Sequence, residues 1–311
     1  MQDRFILMNL DMIKKILINC LFLLLIPNAF CAEYFEPDKT LVYKNIGGHA
    51  LQLYIFNPFD HRTNDSRPAI IFFFGGGWKV GSPKQFFPHC RYLASRGMVA
   101  ISAEYRVKNK HGTTPFECVK DGKSAIRWVR IHAAELGVDP KHIAAGGASA
   151  GGQVAAAAGT VKSLEEPNEN LKISSKPNAL VLIYPVIDNG PGGYGYRRVR
   201  KRWKEFSPMH NIDKNSPPTI FFLGSKDSYI PVSTARKYKS LMNNAGVRCD
   251  LHIFKGQPHG FCNHPSFKGK STEYFEKVCT EIDRFLTSLG YLEERDTLEK
   301  KSEKRLSEKI Q

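Results

Sequence analysis

Apolar runs alternate with segments of helical periodicity from about Val42 onward. Residues 69–74 are continuously apolar, which indicates a strand that is covered on both faces. Residues 98–105 indicate another buried strand, and residues 179–185, 219–224 and 249–254 indicate three more strands. Residues 51–58 alternate like a half-buried strand, and residues 142–147 form a short strand. The spacing of apolar side chains predicts helices at 84–95, 116–134, 150–160, 231–244 and 271–289. This alternation predicts an α/β fold, with a mostly parallel central sheet flanked by helices on both faces.

The composition is that of an ordinary globular protein, with 42% hydrophobic and 24% charged residues among 311. We predict one folded domain over residues 33–290. Residues 291–311 carry charges of both signs and almost no apolar stripe, so we predict a solvated tail there. The formal net charge of +15 is compatible with acidic glycans, anionic surfaces or nucleic acid, but it does not define a fold.

Residues 1–32 have the pattern of a secretory signal peptide. Two lysines precede an apolar stretch over residues 16–26, and the small residues Ala29, Cys31 and Ala32 follow it. The apolar stretch is short for a membrane span, and an uncleaved anchor is the alternative. We expect cleavage between Cys31 and Ala32 or between Ala32 and Glu33. The product would be a secreted or periplasmic protein with no stable membrane anchor.

Five cysteines follow the predicted cleavage site. An oxidising compartment would favour one or two disulfides among them, with an odd thiol left over. They are Cys90, Cys118, Cys249, Cys262 and Cys279. Because the sequence has no C-x-x-C pair or Cys/His cluster with zinc-site spacing, we expect no metal site.

One serine, Ser149, stands among glycines and alanines in the sequence KHIAAGGASAGGQVAAAAG. The residues from Gly147 to Gly151 read G-x-S-x-G between a predicted strand and a predicted helix, which is the pattern of a nucleophile elbow. A serine on such a strained turn projects its Oγ beyond the sheet, and bulky neighbours would collide with the strand and the helix. The N-terminal amides of the following helix point towards an oxyanion forming there. We therefore predict that Ser149 is a nucleophile.

A second glycine run, FFFGGGWKVGS over residues 72–82, ends another predicted strand. Three consecutive glycines let the backbone approach a substrate closely and turn its N–H groups inward. A phosphate-binding loop would need G-x-G-x-x-G or a terminal G-K-S/T, and this run contains neither. We predict that the amides of Gly76, Gly77 and Ala150 form an oxyanion hole.

The other members of a triad are expected downstream, because elbow hydrolases have the chain order Ser, acid, His. Asp227 and His259 each follow a predicted strand. Loops beyond the C-terminal ends of strands are where open α/β sheets bind ligands. We predict Asp227 as the acid and His259 as the base, with Asp188 and His264 as the respective second candidates.

The segments FGGGW, EYR, GVDPKHIAAGGASAGG, GSKDSYIP and QPHGF together resemble the α/β-hydrolase superfamily. The resemblance covers about residues 40–290. It is closest to the hormone-sensitive-lipase-like esterases and to the bacterial acetylxylan and feruloyl esterase-like enzymes. It implies an α/β-hydrolase fold, with Ser149 as nucleophile, His259 as base and Asp227 as orienting acid. This chemistry needs no metal or organic cofactor.

Two positions depart from that branch of esterases. Phe74 stands where a histidine usually precedes the glycines and supports the loop by hydrogen bonding, and Ala148 stands where an acidic residue is common. Without a histidine at position 74, the glycine loop needs another support, and lipase-like specificity does not follow from the resemblance. Tyr105 and Arg106 match a family position that we interpret as structural.

A basic and aromatic segment, NGPGGYGYRRVRKRWKEF over residues 189–206, lies between two predicted core strands, where this fold often inserts a lid. Such side chains would hold an acidic or sulfated sugar chain by charge and stacking. The alternative is a solvated surface helix. The candidate substrate-binding residues are Trp78, Tyr194, Tyr196, Arg197 and Arg198.

The sequence therefore predicts a secreted serine carboxylesterase that removes short acyl groups, with acetyl groups on glycans as candidate substrates. The expected partner is a small-molecule or glycan ester, and nucleic acid is not expected, because export and a hydrolase site argue against it. An amide-cleaving serine hydrolase, such as a formamidase or a prolyl-oligopeptidase-like peptidase, shares the same machinery and stays open. A non-catalytic binding protein on a hydrolase scaffold is less favoured, because such proteins usually lose a triad member.

Overall fold

The apolar runs of the sequence form the core of an eight-stranded sheet. In chain order the strands β1 to β8 are Lys39–Ile46, His49–Phe56, Arg67–Phe73, Val99–Ala103, Val138–Ala148, Ala179–Ile183, Thr219–Gly224 and Cys249–Phe254. The structure is a computed structural model that describes residues 35–294. The predicted signal peptide and residues 295–311 of the predicted tail lie outside the described residues.

The strand order in the sheet is β1-β2-β4-β3-β5-β6-β7-β8. Strand β2 is antiparallel to both of its neighbours, β1 and β4, and every other neighbouring pair is parallel. All residues of β4, β6 and β7 are buried, as parallel strands covered on both faces must be. The predicted, mostly parallel sheet is confirmed.

Helices connect the parallel strands. In chain order the α-helices α1 to α7 of the described residues are Phe87–Ser95, Lys108–His111, Pro115–Ile131, Ala150–Thr160, Tyr196–Val199, Val232–Asn244 and Glu273–Ser288. The connection from β3 to β4 runs in one direction along the sheet, and the connection from β4 to β5 runs in the other. Because such crossovers are right-handed, α1 and α3 lie on opposite faces of the sheet. The last helix, α7, joins α1 through an ion pair between Arg96 and Asp283 (Nε–Oδ2 2.5 Å).

The reversal of strand order determines where a site can form. Strands β3 and β5 are neighbours, with Phe73 opposite Gly147, and the chain leaves them in opposite directions. A crevice opens at the carboxyl ends of the strands at such a switch point. The glycine run that begins at Gly75 and the serine Ser149 both follow these two ends, so the fold itself brings them together.

The five cysteines that follow the predicted cleavage site do not form disulfides, and the prediction of one or two bridges is wrong. All five are free and buried. Burial raises the pKa of each thiol, for example to about 12 for Cys249. Cys90, Cys118, Cys249 and Cys279 lie on helices or strands, and Cys262 lies in the loop after β8. A buried free cysteine packs as a small hydrophobic residue.

Within residues 35–294, no helix is long and apolar enough to span a bilayer.

Candidate active site

Strand β5 passes into α4 through Ser149, whose backbone angles are φ 53° and ψ −118°. This is a strained conformation for a residue with a side chain. The flanking glycines leave no room for larger residues: a Cβ added to Gly151 would lie 2.0 Å from the carbonyl oxygen of Phe73, and one added to Gly147 would lie 2.4 Å from that of Gly151. The small residues around Ser149 are therefore a steric requirement of the sharp turn.

The Oγ atom of Ser149 lies 3.0 Å from Nε2 of His259. The other ring nitrogen, Nδ1, lies 2.7 Å from Oδ2 of Asp227. A carboxylate accepts hydrogen bonds, so Nδ1 carries the ring proton and Nε2 is free to accept one from Ser149. The structure thus brings the three predicted residues together in one hydrogen-bonded chain, from loops that follow β5, β7 and β8.

Backbone amides hold the carboxylate of Asp227 in place. Its Oδ1 accepts hydrogen bonds from the amides of Tyr229 (2.8 Å) and Ile230 (2.9 Å), which leaves Oδ2 for His259. The side chain of Asp227 is completely buried, whereas that of His259 is 18% exposed. The acid is therefore oriented inside the protein, while the imidazole stays accessible to a substrate.

Two tyrosines hold the imidazole between their rings. The centroids of Tyr184 and Tyr229 lie 4.7 Å and 4.9 Å from that of His259, both in edge-to-face arrangements. Edge-to-face aromatic packing restricts rotation of the ring.

The two second candidates occupy other positions. Oδ1 of Asp188 accepts the amide of Gly190 (2.8 Å), and Nδ1 of His264 lies 2.8 Å from Oγ of Ser266. Asp227, and not Asp188, is the acid that lies against His259.

The predicted oxyanion-hole amides lie in the loop after β3 and at the start of α4. Gly76 and Gly77 have φ angles of 135° and 61°, values that favour glycine. In the part of the chain that the structure describes, neither amide donates to a backbone carbonyl. Ala150 is the first residue of α4, where an N–H has no partner within its own helix. These three N–H groups are therefore free to bind a ligand oxygen.

The structure also identifies what supports the glycine loop in place of a histidine at position 74. The ring of Phe74 stacks on that of Tyr105, with centroids 4.2 Å apart. The hydroxyl of Tyr105 donates to the carbonyl oxygen of Phe74 (2.6 Å), and the amide of Gly75 donates to Oε1 of Gln85 (2.7 Å). Sequence reasoning missed Gln85, because nothing in its local pattern marks it.

Trp78, a candidate substrate-binding residue, is 1% exposed. Its Nε1 donates to Oε1 of Gln153 (3.1 Å), and its ring packs edge-to-face on Phe206 at 5.7 Å. The indole therefore lies behind the surface that a substrate would reach, and its contacts support the glycine loop from inside.

The remaining substrate-binding candidates lie beside the glycine loop or in α5. The ring of Tyr194 lies between those of Trp78 and Tyr229, 5.8 Å from each. Arg198 stacks over Trp78 and Tyr194 and donates to the carbonyl oxygen of Gly77. The surface helix that was the alternative for this segment is short: α5 has four residues, among them half-buried Tyr196 and exposed Arg197.

Among residues 35–294, no group of three His, Cys, Asp or Glu side chains is arranged to hold a metal ion.

Comparison with known proteins gives two family matches and close structural relatives. Residues 53–191 match the BD-FAE family, and residues 188–278 match the Prolyl oligopeptidase family. Esterase 2 of Thermogutta terrifontis, phosphoramylated by tabun, is 45% identical with a TM-score of 0.79, over 83% of this chain and 96% of that chain. Its propionate-bound form is 44% identical with a TM-score of 0.78, over 84% of this chain and 97% of that chain.

Curated relatives are more distant. Acetylxylan esterase of Xylanibacter ruminicola is 26% identical, over 73% of this chain and 46% of its own length. Esterase LipC of Mycobacterium tuberculosis is 31% identical, over 62% of this chain and 53% of its own length. The chain thus spans about half the length of these two proteins. The fold and these similarities together show that the chain belongs to the α/β-hydrolase superfamily and to the serine esterases within it.

Proposed function

We propose that the protein is a carboxylesterase in which Ser149, His259 and Asp227 form the catalytic triad. The observation that carries this proposal is the chain of contacts from Ser149 Oγ to His259 Nε2 (3.0 Å) and from His259 Nδ1 to Asp227 Oδ2 (2.7 Å). His259 takes the serine proton as the hydroxyl attacks an ester carbonyl, and Asp227 stabilises the imidazolium that forms. The alcohol leaves with that proton, and water, deprotonated by the same imidazole, then releases the acid.

The amides of Gly76, Gly77 and Ala150 stabilise the oxyanion of the tetrahedral intermediate. The glycine run passes beside the serine, since a Cβ added to Gly75 would lie 3.3 Å from Cβ of Ser149. Ala150 begins α4, whose first turn adds its positive dipole end. Removing one donor of this kind typically costs a factor of about 10²–10³ in rate. Backbone amides have fixed positions, so they require no reorganisation during the reaction.

The test is active-site labelling with a fluorophosphonate probe, followed by mapping of the modified peptide. Wild type is expected to carry the probe on Ser149, and Ser149→Ala is expected to carry none. The variant Ser266→Ala is a matched control, because Ser266 is an exposed serine that bonds to the second-candidate histidine, His264. Labelling of a different serine, or of none, would contradict the proposal.

The acyl group is proposed to be short. The propionate-bound relative supports this choice, since propionate is a three-carbon acid and that chain is 44% identical to this one. Rates on p-nitrophenyl acetate, butyrate and octanoate test it, with a steady fall along that series as the expected result.

The alcohol part is proposed to be a glycan. The match to an acetylxylan esterase supports this class. Acetate release from acetylated xylan, measured beside p-nitrophenyl acetate, tests it. Turnover of the aryl ester with no release from several acetylated polysaccharides would leave a small-molecule ester as the substrate.

The basic segment is proposed to favour esters that carry a negative charge. Arg197, Arg200 and Lys201 are exposed, and none of them forms an ion pair with a described acidic residue. Changing all three to serine is expected to lower kcat/KM about tenfold for an anionic ester and to leave the neutral analogue unchanged. Arg284→Ser, in the distant helix α7, is the control. Equal effects on both esters would contradict this preference.

A second candidate reaction is amide hydrolysis, which the Prolyl oligopeptidase match over residues 188–278 favours. That range contains both Asp227 and His259, and an acid and a histidine in these roles serve esterases and amidases alike. Rates on a matched ester and anilide decide between the two, and we expect the ester to react faster.

We propose that the protein is exported, on the basis of the basic and apolar pattern of residues 1–32. Expression of the full chain in a bacterium and sequencing of the N-terminus test this. A product that begins at Ala32 or Glu33 outside the cytoplasm is expected, and an uncleaved product would contradict cleavage.

A further inference from the structure

One peptide group of the glycine loop is held on both of its sides. The peptide between Phe74 and Gly75 accepts the hydroxyl of Tyr105 at its oxygen (2.6 Å) and donates its N–H to Oε1 of Gln85 (2.7 Å). A Cβ added to Gly75 would lie 3.3 Å from Cβ of Ser149, so this peptide passes directly beside the serine. Its orientation sets the direction in which the following amides, those of Gly76 and Gly77, point.

The other end of the Gln85 side chain reaches the loop that carries His259. Its Nε2 donates to Oδ1 of Asn263 (2.9 Å) and lies 3.3 Å from the hydroxyl of Tyr184. The hydroxyl of Tyr184 donates to the same Oδ1 of Asn263 (2.8 Å). One side chain thus joins the glycine loop after β3 to the histidine loop after β8.

Tyr184 connects this network to the imidazole itself. Its ring meets that of His259 edge-to-face at 4.7 Å, and it is almost completely buried. Its φ of 34° is a strained value for a residue with a side chain, and such strain persists only where neighbouring contacts hold the residue. The bond from its hydroxyl to Asn263 is one such contact.

We infer that Gln85 is a positioning residue. Together with Asn263, it holds the loop of Gly75, Gly76 and Gly77 and the loop of His259 in the relative position that the reaction requires. The inference rests on the proposed esterase function. An amide suits this place because it presents an acceptor to Gly75 and a donor to Asn263 at once. Gln85 thereby supplies loop support in a chain that has Phe74 where related esterases have a histidine.

Replacing the amide tests the inference. Gln85→Ala is expected to lower kcat on p-nitrophenyl acetate about tenfold to a hundredfold, with KM changed less than about threefold, because a displaced oxyanion donor acts in the transition state. Gln257→Ala is the matched control, since Gln257 also lies near His259 but donates to Tyr274 (2.8 Å) in α7. Its kcat is expected to stay at the wild-type value.

Asn263 offers a rescue that a purely structural role would not predict. Asn263→Ala removes the acceptor and is expected to lower kcat as Gln85→Ala does. Asn263→Asp keeps an acceptor for both donors and is expected to restore kcat. The added carboxylate favours a protonated imidazole, so the acid limb of the kcat/KM profile moves upward by about half a pH unit or more. This readout also serves if Gln85→Ala does not fold.

A double variant tests whether the two residues act together. If they form one unit, the rate loss of Gln85→Ala with Asn263→Ala is close to that of either single change, whereas independent residues would multiply their losses. Unchanged kcat in folded Gln85→Ala, or multiplied losses, overturns the inference while Ser149 labelling still stands. An unlabelled, inactive wild type overturns the proposed function instead.

Discussion

The carboxylate of Asp227 lies 2.7 Å from Nδ1 of His259 and is completely buried. Asp227→Asn leaves the shape unchanged but presents an amide that favours the wrong imidazole tautomer. We expect kcat on p-nitrophenyl acetate to fall about 10⁴-fold, as for the corresponding change in a known serine protease. The measurement is steady-state kinetics on the purified variant.

Asp188→Asn is the matched control for that experiment. Asp188 is the second-candidate acid, and its Oδ1 bonds to the amide of Gly190. Its replacement is expected to change kcat less than about fivefold, because it does not touch the reacting groups. A larger loss in Asp188→Asn than in Asp227→Asn would reverse the assignment of the acid.

The elbow glycines are expected to be required for folding. A Cβ at Gly151 would lie 2.0 Å from the oxygen of Phe73, and both atoms belong to the rigid core. Gly151→Ala is therefore expected to lower the free energy of unfolding by about 3 kcal/mol or more. Gly246→Ala is the comparison. A Cβ at Gly246 would meet no other atom within 4 Å, but the φ of 73° is strained for alanine, so only the backbone cost of about 1 kcal/mol is expected. Urea denaturation gives both values, and equal losses would contradict the steric account.

A buried histidine makes stability depend on pH. His89 is 3% exposed, and neither ring nitrogen has a hydrogen-bond partner among residues 35–294. Burial, with a further contribution from His264, lowers its pKa to about 3. Between that value and the ordinary pKa of about 6.5, the unfolded chain binds the extra proton. The stability that neutral His89 contributes is complete above about pH 6.5 and is lost as the pH falls towards about 3.

Replacing His89 with leucine is expected to remove this dependence. The unfolding free energy of wild type should drop between about pH 7 and about pH 5 by some 2 kcal/mol more than that of His89→Leu. Urea titrations at the two pH values measure the difference. Parallel losses in the two proteins would show that other groups dominate.

Much of the sheet, and the contact of Ser149 with His259 and Asp227, was predictable from sequence, because each strongly constrains the local pattern. Strands β7 and β8 were predicted at the bounds observed, 219–224 and 249–254: β7 is a short apolar run, and β8 alternates apolar and polar residues. Strand β1 was not identified: Tyr43 is its only buried residue, so it has no apolar run to mark it.

Contacts between distant loops were not predictable. Gln85 and Asn263 are 178 residues apart and touch only because the loops after β3 and β8 converge. The burial of Trp78 was not predictable either. Its aromatic ring suggested a substrate-binding surface, but its hydrogen bond to Gln153 places it inside the protein. The cysteine prediction failed for the same reason, because disulfide pairing depends on which core positions the fold brings together.

The most direct measurement is the turnover of p-nitrophenyl acetate by Ser149→Ala beside wild type, with both shown to be folded by their urea unfolding curves. Loss of the attacking hydroxyl should reduce kcat by a factor of about 10⁴–10⁶ and leave the unfolding free energy close to that of wild type. A folded Ser149→Ala protein that hydrolyses the ester at the wild-type rate would contradict the assignment of Ser149 as the nucleophile.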